Sequence, residues 1–229
     1  MKKALLSLIL GCISMFSFAQ QDSSFLNTAP KFSFGFSPLS VFFSKVKLDF
    51  ETGFQSKNPM LLSLSPVIYT GETYIYSNTR NIGPDNERTS NGDLVSGFGA
   101  EAQLKMARVI DADNLFMLYG GVGLGYHDIS LKFTDFGWST YREDGLEYYE
   151  YGIGDEKERI KRVDVFVNLG LRAYVNRRIY FDLSAGFVYQ NSTITTTQSF
   201  SRPHRSGILD FGNQGANLRG NFAVGFSIF

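Results

Sequence analysis

The stretch "VDVFVNLGLRAYV", residues 163–175, decides the fold because its side chains divide into two unlike sets. Aliphatic residues occupy every second position from Val163 to Ala173, and Asp164, Asn168 and Arg172 lie between them. A period of two indicates a β-strand with one apolar and one polar face. In a soluble sheet the apolar face packs in a core. In a membrane barrel the apolar face meets lipid and the polar face lines the lumen.

The same alternation recurs in eight segments of roughly the length that a membrane-spanning strand needs, about 9–11 residues. The segments are 31–36, 45–54, 60–69, 97–106, 118–128, 163–175, 179–189 and 218–229. One face of each is almost purely aliphatic or Phe, which favours lipid over a soluble core. The other face carries charges of both signs, namely Lys45, Lys47, Asp49, Glu51, Glu101, Lys105, Asp164, Arg172, Asp182 and Arg219.

The connections between these segments alternate in length. Short links at 55–59, 110–114 and 176–178 alternate with long stretches near 71–95, 130–160 and 191–214, and the link 38–44 is intermediate. Short periplasmic turns and long extracellular loops are typical of outer-membrane barrels. We therefore predict an all-β fold: a closed, antiparallel, up-and-down transmembrane β-barrel of about eight strands, with both termini in the periplasm.

The N-terminus has the form of a secretory signal. Lys2 and Lys3 precede an apolar run too short to span a bilayer, and Ser17 and Ala19 are small residues before a cut. We predict a cleaved signal peptide at 1–19, a short periplasmic segment at 20–30 and one barrel domain at 31–229. An uncleaved anchor, or a lipoprotein lipidated at Cys12, are the alternatives.

Composition excludes several classes of protein. The chain has 22 basic and 22 acidic residues and no net charge, so it offers no basic field for nucleic acid. Cys12 is the only cysteine, so a mature chain without the signal has no disulfide. Frequent Gly (23 residues) and 15% aromatics suit an all-β protein with tight turns. We expect no cofactor and no metal site.

A family resemblance follows from the signal ending "SFAQ", the N-terminal "FSFGFSPLS", "KLDFE" before a short turn, and the terminal Phe229. These features resemble the small outer-membrane β-barrel proteins of Bacteroidota, with an OmpA/OmpX-like barrel. The resemblance implies a Gram-negative outer membrane, with its lipid and the barrel-insertion machinery as partners. It also implies a C-terminal insertion signal at Phe226, Ile228 and Phe229, although the apolar series runs through Ile228 and leaves Ser227 two residues before the end.

An eight-stranded barrel has an interior that side chains just fill. Opposite charges on the inward face should pair, because a buried unpaired charge costs several kcal/mol. We predict a plugged lumen without an open pore, and a structural or surface-interaction role. The predicted charge network comprises Lys47, Glu51, Glu101, Lys105, Asp164, Arg172, Asp182 and Arg219.

The stretch near 130–160 is predicted to be a hairpin that prolongs the fifth and sixth strands, because Asp144-Gly145 is a good tight-turn pair. Its aromatic residues could bind an extracellular protein or glycan, since exposed aromatics are common contact anchors. An interfacial aromatic belt or self-packing of the hairpin is the alternative. The candidates are Trp138, Tyr141, Tyr148, Tyr149 and Tyr151.

Other functions stay open. His127 could serve a lipid acyl hydrolase or acyltransferase, but Asp128 is a poor orienting partner because adjacent strand residues point to opposite faces. A less filled lumen would suit a barrel that binds or transports a small apolar ligand. In a soluble periplasmic barrel every strand would be turned over, with its aliphatic face buried and its polar face in water. Pro66 predicts a bulge or a local break in the third strand, which in a barrel wall would ease a bend or open a side exit.

Overall fold

The computed structural model describes residues 30–54, 59–73, 93–110, 116–175, 178–196 and 211–228. Within these ranges the chain forms eight β-strands and one short 3₁₀ helix. The predicted signal peptide (1–19) and residues 20–29 of the predicted periplasmic segment lie outside the described residues. The elements are β1 (Phe32–Phe36), the 3₁₀ helix (Pro38–Phe43), β2 (Lys45–Phe54), β3 (Met60–Thr73), β4 (Asp93–Val109), β5 (Phe116–Glu143), β6 (Leu146–Tyr174), β7 (Ile179–Thr196) and β8 (Gly215–Ile228).

The strands pair in sequence order and close into a ring. Each strand is antiparallel to the next, and β1 also pairs with β8, from Phe32↔Ile228 to Phe36↔Val224. The predicted all-β, closed, up-and-down barrel of eight strands is therefore confirmed. No helix in the described ranges is long and apolar enough to cross a membrane.

The connections confirm the predicted alternation. The short links after β2, β4 and β6 lie at one end of the barrel, which we call the turn end. The connections after β1, β3, β5 and β7 lie at the other end, which we call the loop end. Because sequential antiparallel strands reverse direction each time, the start of β1 and the end of β8 both lie at the turn end.

The polar face of residues 163–175, which belong mostly to β6, points into the barrel. On β6, Val165 and Leu169 are 50% and 58% exposed, whereas Asp164 and Arg172 are 2% and 1% exposed. The same alternation holds on the other strands, where the apolar series points outward and the charged series points into the lumen. A soluble barrel with a buried aliphatic face is therefore excluded by the side-chain directions.

Towards the loop end the two faces exchange polarity. On β5 the outward series passes from Tyr126 to Asp128, while the buried inward series becomes Ile129 and Leu131. On β6 the cross-strand neighbour Ile160 is likewise fully buried. On β5, β6 and β7 the outward side chains just beyond this boundary are polar or charged, and the exposed ones include Lys132, Lys157, Arg159, Lys161, Asn191 and Thr193. The boundary is a feature that the alternation alone did not predict.

Strands β5 and β6 continue far beyond their neighbours as a two-stranded ribbon. Pairing of β5 with β4 ends at Lys132, and pairing of β6 with β7 ends at Glu158. Past these residues, within the described ranges, the two strands pair only with each other. They end at a two-residue turn in which Asp144 and Gly145 have φ of 52° and 80°, the positive values that a type I′ turn requires. The predicted hairpin is confirmed.

Pro66 interrupts one ladder without shifting the register. The β3–β4 pairing runs unbroken through Pro66↔Ala100, whereas the β2–β3 pairing is absent between Phe50↔Leu64 and Lys47↔Val67. Proline has no N–H to donate, so the bond on one side is lost. Of the predicted bulge or local break, the structure has the local break.

Gly186 on β7 allows a close backbone approach that any Cβ would prevent. A Cβ there would lie 2.0 Å from the carbonyl oxygen of Val167 and 2.6 Å from Cα of Asn168, both backbone atoms of β6. We expect Gly186→Ala to destabilise the barrel by about 1–3 kcal/mol, because the strands must shift. Urea unfolding in vesicles or detergent measures this.

Gly220 provides the matched control for this substitution. A Cβ at Gly220 on β8 meets no atom closer than the Ser184 carbonyl oxygen, at 4.0 Å. Gly220→Ala should therefore change stability by less than about 0.5 kcal/mol. Equal effects of the two substitutions would contradict the packing described here.

Candidate functional site

The lumen near the turn end holds a set of ion pairs contributed by four strands, which we call the lower network. Glu51 on β2 pairs with Lys105 on β4 and, at 2.6 Å, with Arg172 on β6. The Arg172 guanidinium also lies 2.7 Å from Asp182 on β7. Tyr119 on β5 donates a hydrogen bond of 2.5 Å to the same carboxylate. Each of these charges is buried and has a partner of opposite sign, which low-dielectric surroundings require.

A second set of ion pairs, the upper network, lies nearer the loop end. Glu101 on β4 pairs with Lys47 on β2 at 2.8 Å and with Arg219 on β8 at 2.5 Å. Asp164 pairs with Arg162, at 2.9 Å, two residues earlier on β6. The Arg219 guanidinium also covers the Phe166 ring, at 3.8 Å from its centroid. The two networks therefore fill successive levels of the same lumen.

His127 is held between two partners in the upper network. Its Nδ1 lies 2.9 Å from the Tyr69 hydroxyl, and its Nε2 lies 3.2 Å from Asp164. Asp128 points outward, where Arg159 donates hydrogen bonds of 2.9 and 2.6 Å to it and lowers the pKa of its carboxyl. Among the described residues no serine hydrogen-bonds to His127. His127 therefore hydrogen-bonds to Tyr69 through Nδ1, while its Nε2 lies near the carboxylates of Asp164 and Glu101, at 3.2 and 3.8 Å, without a hydrogen bond of good geometry.

Glu101, His127 and Asp164 each offer a ligand atom within 4.8 Å of the others. A divalent cation there would lie beside the side chains of Lys47, Arg162 and Arg219, which already neutralise both carboxylates. A metal ion would have to displace those pairs against like-charge repulsion. The group is therefore better explained as part of the ion-pair network than as a metal centre.

Two apolar clusters lie at the ends of the charged lumen. At the loop end, Ile129, Leu131 and Ile160 are fully buried, and Phe211 packs with them. The ring of Phe211 is edge-on to that of Tyr69, with centroids 5.8 Å apart. At the turn end the buried cluster comprises Leu61, Ala107, Met117, Tyr119, Tyr174 and Tyr180. The polar interior therefore lies between two apolar layers.

One cavity of about 250 Å³ remains beside the upper network. It is lined by Lys45, Arg162 and Arg219, by Leu218 on β8, and by Phe43 of the 3₁₀ helix. The lower lumen contains a space of only about 10 Å³, because the side chains there are closely packed. The larger of these two spaces lies on the side of the barrel where β8 and β2 face each other across the 3₁₀ helix.

All eight residues of the predicted charge network point into the lumen and take part in ion pairs. The structure divides them between two levels, a separation that sequence patterning did not predict. Arg162 and the tyrosines 69 and 119 complete the networks and were not predicted as members. Arg162 could have been found by extending the alternation of β6 one step before Val163.

The candidates of the ribbon lie at facing positions of β5 and β6. Trp138 is opposite Tyr151, and Tyr141 is opposite Tyr148. The side chains of Tyr148 and Tyr149 are 39% and 66% exposed, and those of Trp138, Tyr141 and Tyr151 lie outside the described part of the structure. At the C-terminus, Phe226 and Ile228 point outward, and Phe229 lies outside the described residues.

Comparisons with known proteins give one structural neighbour to report. No protein-family model and no curated protein sequence matches the chain. Among solved structures the chain is similar to the crystal structure of Acinetobacter baumannii CarO, with 8% sequence identity and a TM-score of 0.47. The match covers 89% of this chain and 100% of that one. The fold assignment here therefore rests on the strand order and register of this chain.

Arg172 joins two carboxylates of the lower network. We expect Arg172→Met to destabilise the barrel by about 3–5 kcal/mol, because Asp182 loses its cation while buried. Adding Asp182→Asn should restore part of the lost stability. A double-mutant cycle of unfolding free energies measures this coupling. Arg159→Met, which removes an exposed ion pair, is the control and should leave stability essentially unchanged. A loss for Arg172→Met no larger than for Arg159→Met would contradict the role given to the network.

Proposed function

We propose that this protein is an integral β-barrel of a Gram-negative outer membrane. The observation that carries the proposal is the outward apolar surface of the barrel, which continues around it from β1 to β8. The large apolar side chains of this surface are exposed by about half, for example Phe34 (40%), Leu64 (55%), Val122 (56%) and Leu183 (62%). Soluble monomers rarely expose contiguous apolar patches beyond a few hundred Å², so a lipid environment accounts for this surface.

The height of the apolar surface fits a bilayer. On β5 it extends from Phe116 to Tyr126, and on β7 from Ile179 to Tyr189, eleven residues in each case. At about 3.3 Å per residue and a strand tilt of about 40°, the distance from the first to the last of them corresponds to a height of about 25 Å. This equals the typical apolar band of outer-membrane barrels. The exchange of polarity after Tyr126 then corresponds to the membrane surface on the loop side.

Within this proposal the barrel is an anchor with a filled lumen. The ion-pair networks and the two apolar clusters at the ends of the lumen support this filled interior. The sheet itself is closed by hydrogen bonding, as a lipid environment requires. We do not propose an enzymatic role, because among the described residues His127 hydrogen-bonds to Tyr69 and to no serine that it could activate. The outer-membrane lipid and the barrel-insertion machinery are the partners that this location implies, and the Bacteroidota resemblance stays part of the proposal.

The β5–β6 ribbon is the proposed interaction surface. It extends about 17 residues beyond Tyr126, which corresponds to roughly 55 Å of strand at about 3.3 Å per residue. No strand among the described residues pairs with its outer backbone edges beyond Lys132 and Glu158, and such edges can accept a partner strand. With the exposed Tyr148 and Tyr149 near its tip, the ribbon suits an extracellular protein or glycan.

Cell fractionation and electrophoresis test the location. The protein should be in the outer-membrane fraction and should migrate differently before and after boiling, as folded barrels do. Leu169→Arg, near the middle of the outward apolar surface, should cost about 2–4 kcal/mol of barrel stability and reduce the unboiled, folded band. Thr193→Arg, outward but beyond the polarity boundary, is the matched control and should leave the band unchanged.

Two results of this experiment would contradict a membrane barrel. One is a soluble periplasmic protein without a heat-dependent shift. The other is an equal response of the folded band to Leu169→Arg and Thr193→Arg, since the two positions differ in the surroundings that the proposal assigns to them.

Planar bilayer recordings test the filled lumen. The reconstituted protein, verified by its heat-dependent band, should give no steady conductance, because apolar clusters close both ends of the charged interior. Steady, ohmic steps that scale with the amount of inserted protein would contradict the anchor role and favour a transport barrel.

A further inference from the structure

The barrel wall is incomplete on one side above β1. Strand β1 has five residues and pairs with β8 only from Val224 to Ile228. The preceding part of β8, residues 215–223, pairs with β7, and no strand among the described residues pairs with its other side. We call this gap the seam, bounded by residues 215–223 of β8 on one side and by residues 37–47 on the other.

The 3₁₀ helix occupies the seam without continuing the sheet. Its neighbour Ser37 donates a side-chain hydrogen bond to Asn221 at 3.0 Å, at the closed end of the seam. Within the described ranges no backbone hydrogen bond joins residues 38–44 to β8. Open sheet edges at membrane depth are tolerated only where they are covered by protein or line a polar cavity. The edge of β8 at the seam lines such a cavity.

The cavity of about 250 Å³ is charged on its inner side and apolar on its outer side, at the seam. Its inner wall is the upper network, while its outer rim is formed by Leu39 and Phe43 of the 3₁₀ helix and by Leu218 of β8. Phe42 and Leu218, on opposite sides of the seam, are 82% and 71% exposed, the two highest values among the large apolar side chains described. The rim thus presents apolar groups to the membrane in front of a charged interior.

The charges around the cavity favour an anion. Four cations line it, Lys45, Lys47, Arg162 and Arg219, against the two carboxylates of Glu101 and Asp164. The other three cations are paired with these carboxylates, whereas Lys45 has no carboxylate within 4.0 Å among the described residues. A half-buried ammonium without a counter-charge is a site for a carboxylate or phosphate group.

The size of the cavity limits what part of a ligand it encloses. Pockets that take up whole drug-sized molecules have volumes of about 300–1,000 Å³, and this one is smaller. It accommodates a headgroup, and a longer apolar chain would have to leave through the seam. Leu218 lies opposite Phe187 of β7, which places the seam within the height of the outward apolar surface.

We propose that the seam is a lateral portal for a single-chain anionic amphiphile, whose headgroup pairs with Lys45 while its acyl chain passes between the 3₁₀ helix and β8 into the membrane. This inference rests on the proposed membrane location. It predicts entry from the bilayer, since the apolar cluster around Ile129, Leu131 and Phe211 closes the loop end of the lumen.

Electron spin resonance of nitroxide-labelled stearic acid tests the portal. The protein, folded in phosphatidylcholine vesicles, should immobilise a fraction of the labelled acid, and the methyl ester of the same probe should stay mobile. Lys45→Gln should weaken the immobilisation at least about tenfold, the effect of losing one charge-assisted hydrogen bond. Lys45→Arg should restore it, and Lys161→Gln on the outer surface should leave it unchanged.

A second pair of variants tests the route. Gly220 lines the cavity, and a Cβ there would meet no atom closer than 4.0 Å. Gly220→Trp should therefore fold, obstruct the seam and reduce immobilisation of the acid about as much as Lys45→Gln. Gly220→Ala should bind like the unmodified protein. Inorganic phosphate in the buffer should not displace the labelled acid, because the site takes its ligand from the membrane.

Several outcomes would overturn the portal. Equal immobilisation of the acid and its methyl ester would indicate ordinary lipid at the barrel surface, and unchanged binding by Lys45→Gln would remove the headgroup site. Displacement by phosphate would identify a site for soluble anions. The heat-dependent band of each vesicle preparation separates these outcomes from failure of the membrane proposal. If the band is present and binding is absent, the portal alone is wrong, whereas absence of the band from the unmodified protein contradicts both.

Discussion

Five residue pairs between β1 and β8 close the sheet, and the rest of the structure depends on this closure. Without it both strands would be open edges, which neither lipid nor water tolerates well in a barrel of this kind. The closure is also short, because β1 ends at Phe36 and the chain turns into the 3₁₀ helix at Pro38. The same pairing therefore completes the ring near the turn end and leaves the seam above it.

The charged interior and the apolar exterior both favour the same register of the strands. A slip of one residue between neighbouring strands would reverse every side chain. For β6 it would move Asp164 and Arg172 to the outer surface and Val165 to the lumen, at a cost of several kcal/mol for each charge in lipid. Buried ion pairs add little net stability compared with apolar packing. Their contribution here is the register, since they are satisfied only when all contributing strands are aligned.

The exchange of polarity along β5 and β6 separates the part of the barrel proposed to lie in the membrane from the part proposed to lie outside it. Below the boundary at Tyr126 the barrel is apolar outside and charged inside, and beyond it the buried residues are Ile129, Leu131 and Ile160. A single pair of strands thus serves as membrane wall, apolar closure and projecting ribbon in succession. The proposed anchor, interaction surface and portal use these three levels, with the seam opening where the wall is still surrounded by apolar groups.

The amino-acid sequence by itself determined the strands, the face that each side chain occupies, and the Asp144-Gly145 turn. These are consequences of local geometry: side chains alternate along any strand, and a type I′ turn needs two residues that accept positive φ. Only the tertiary structure decided which charges meet: Arg172 reaches Glu51, and His127 meets Tyr69 and Asp164. It alone also showed that the charges form two levels and that β1 is too short to complete the wall. Those contacts join residues on different strands across the lumen, and their distances depend on the number, stagger and tilt of all eight strands together, which no single segment encodes.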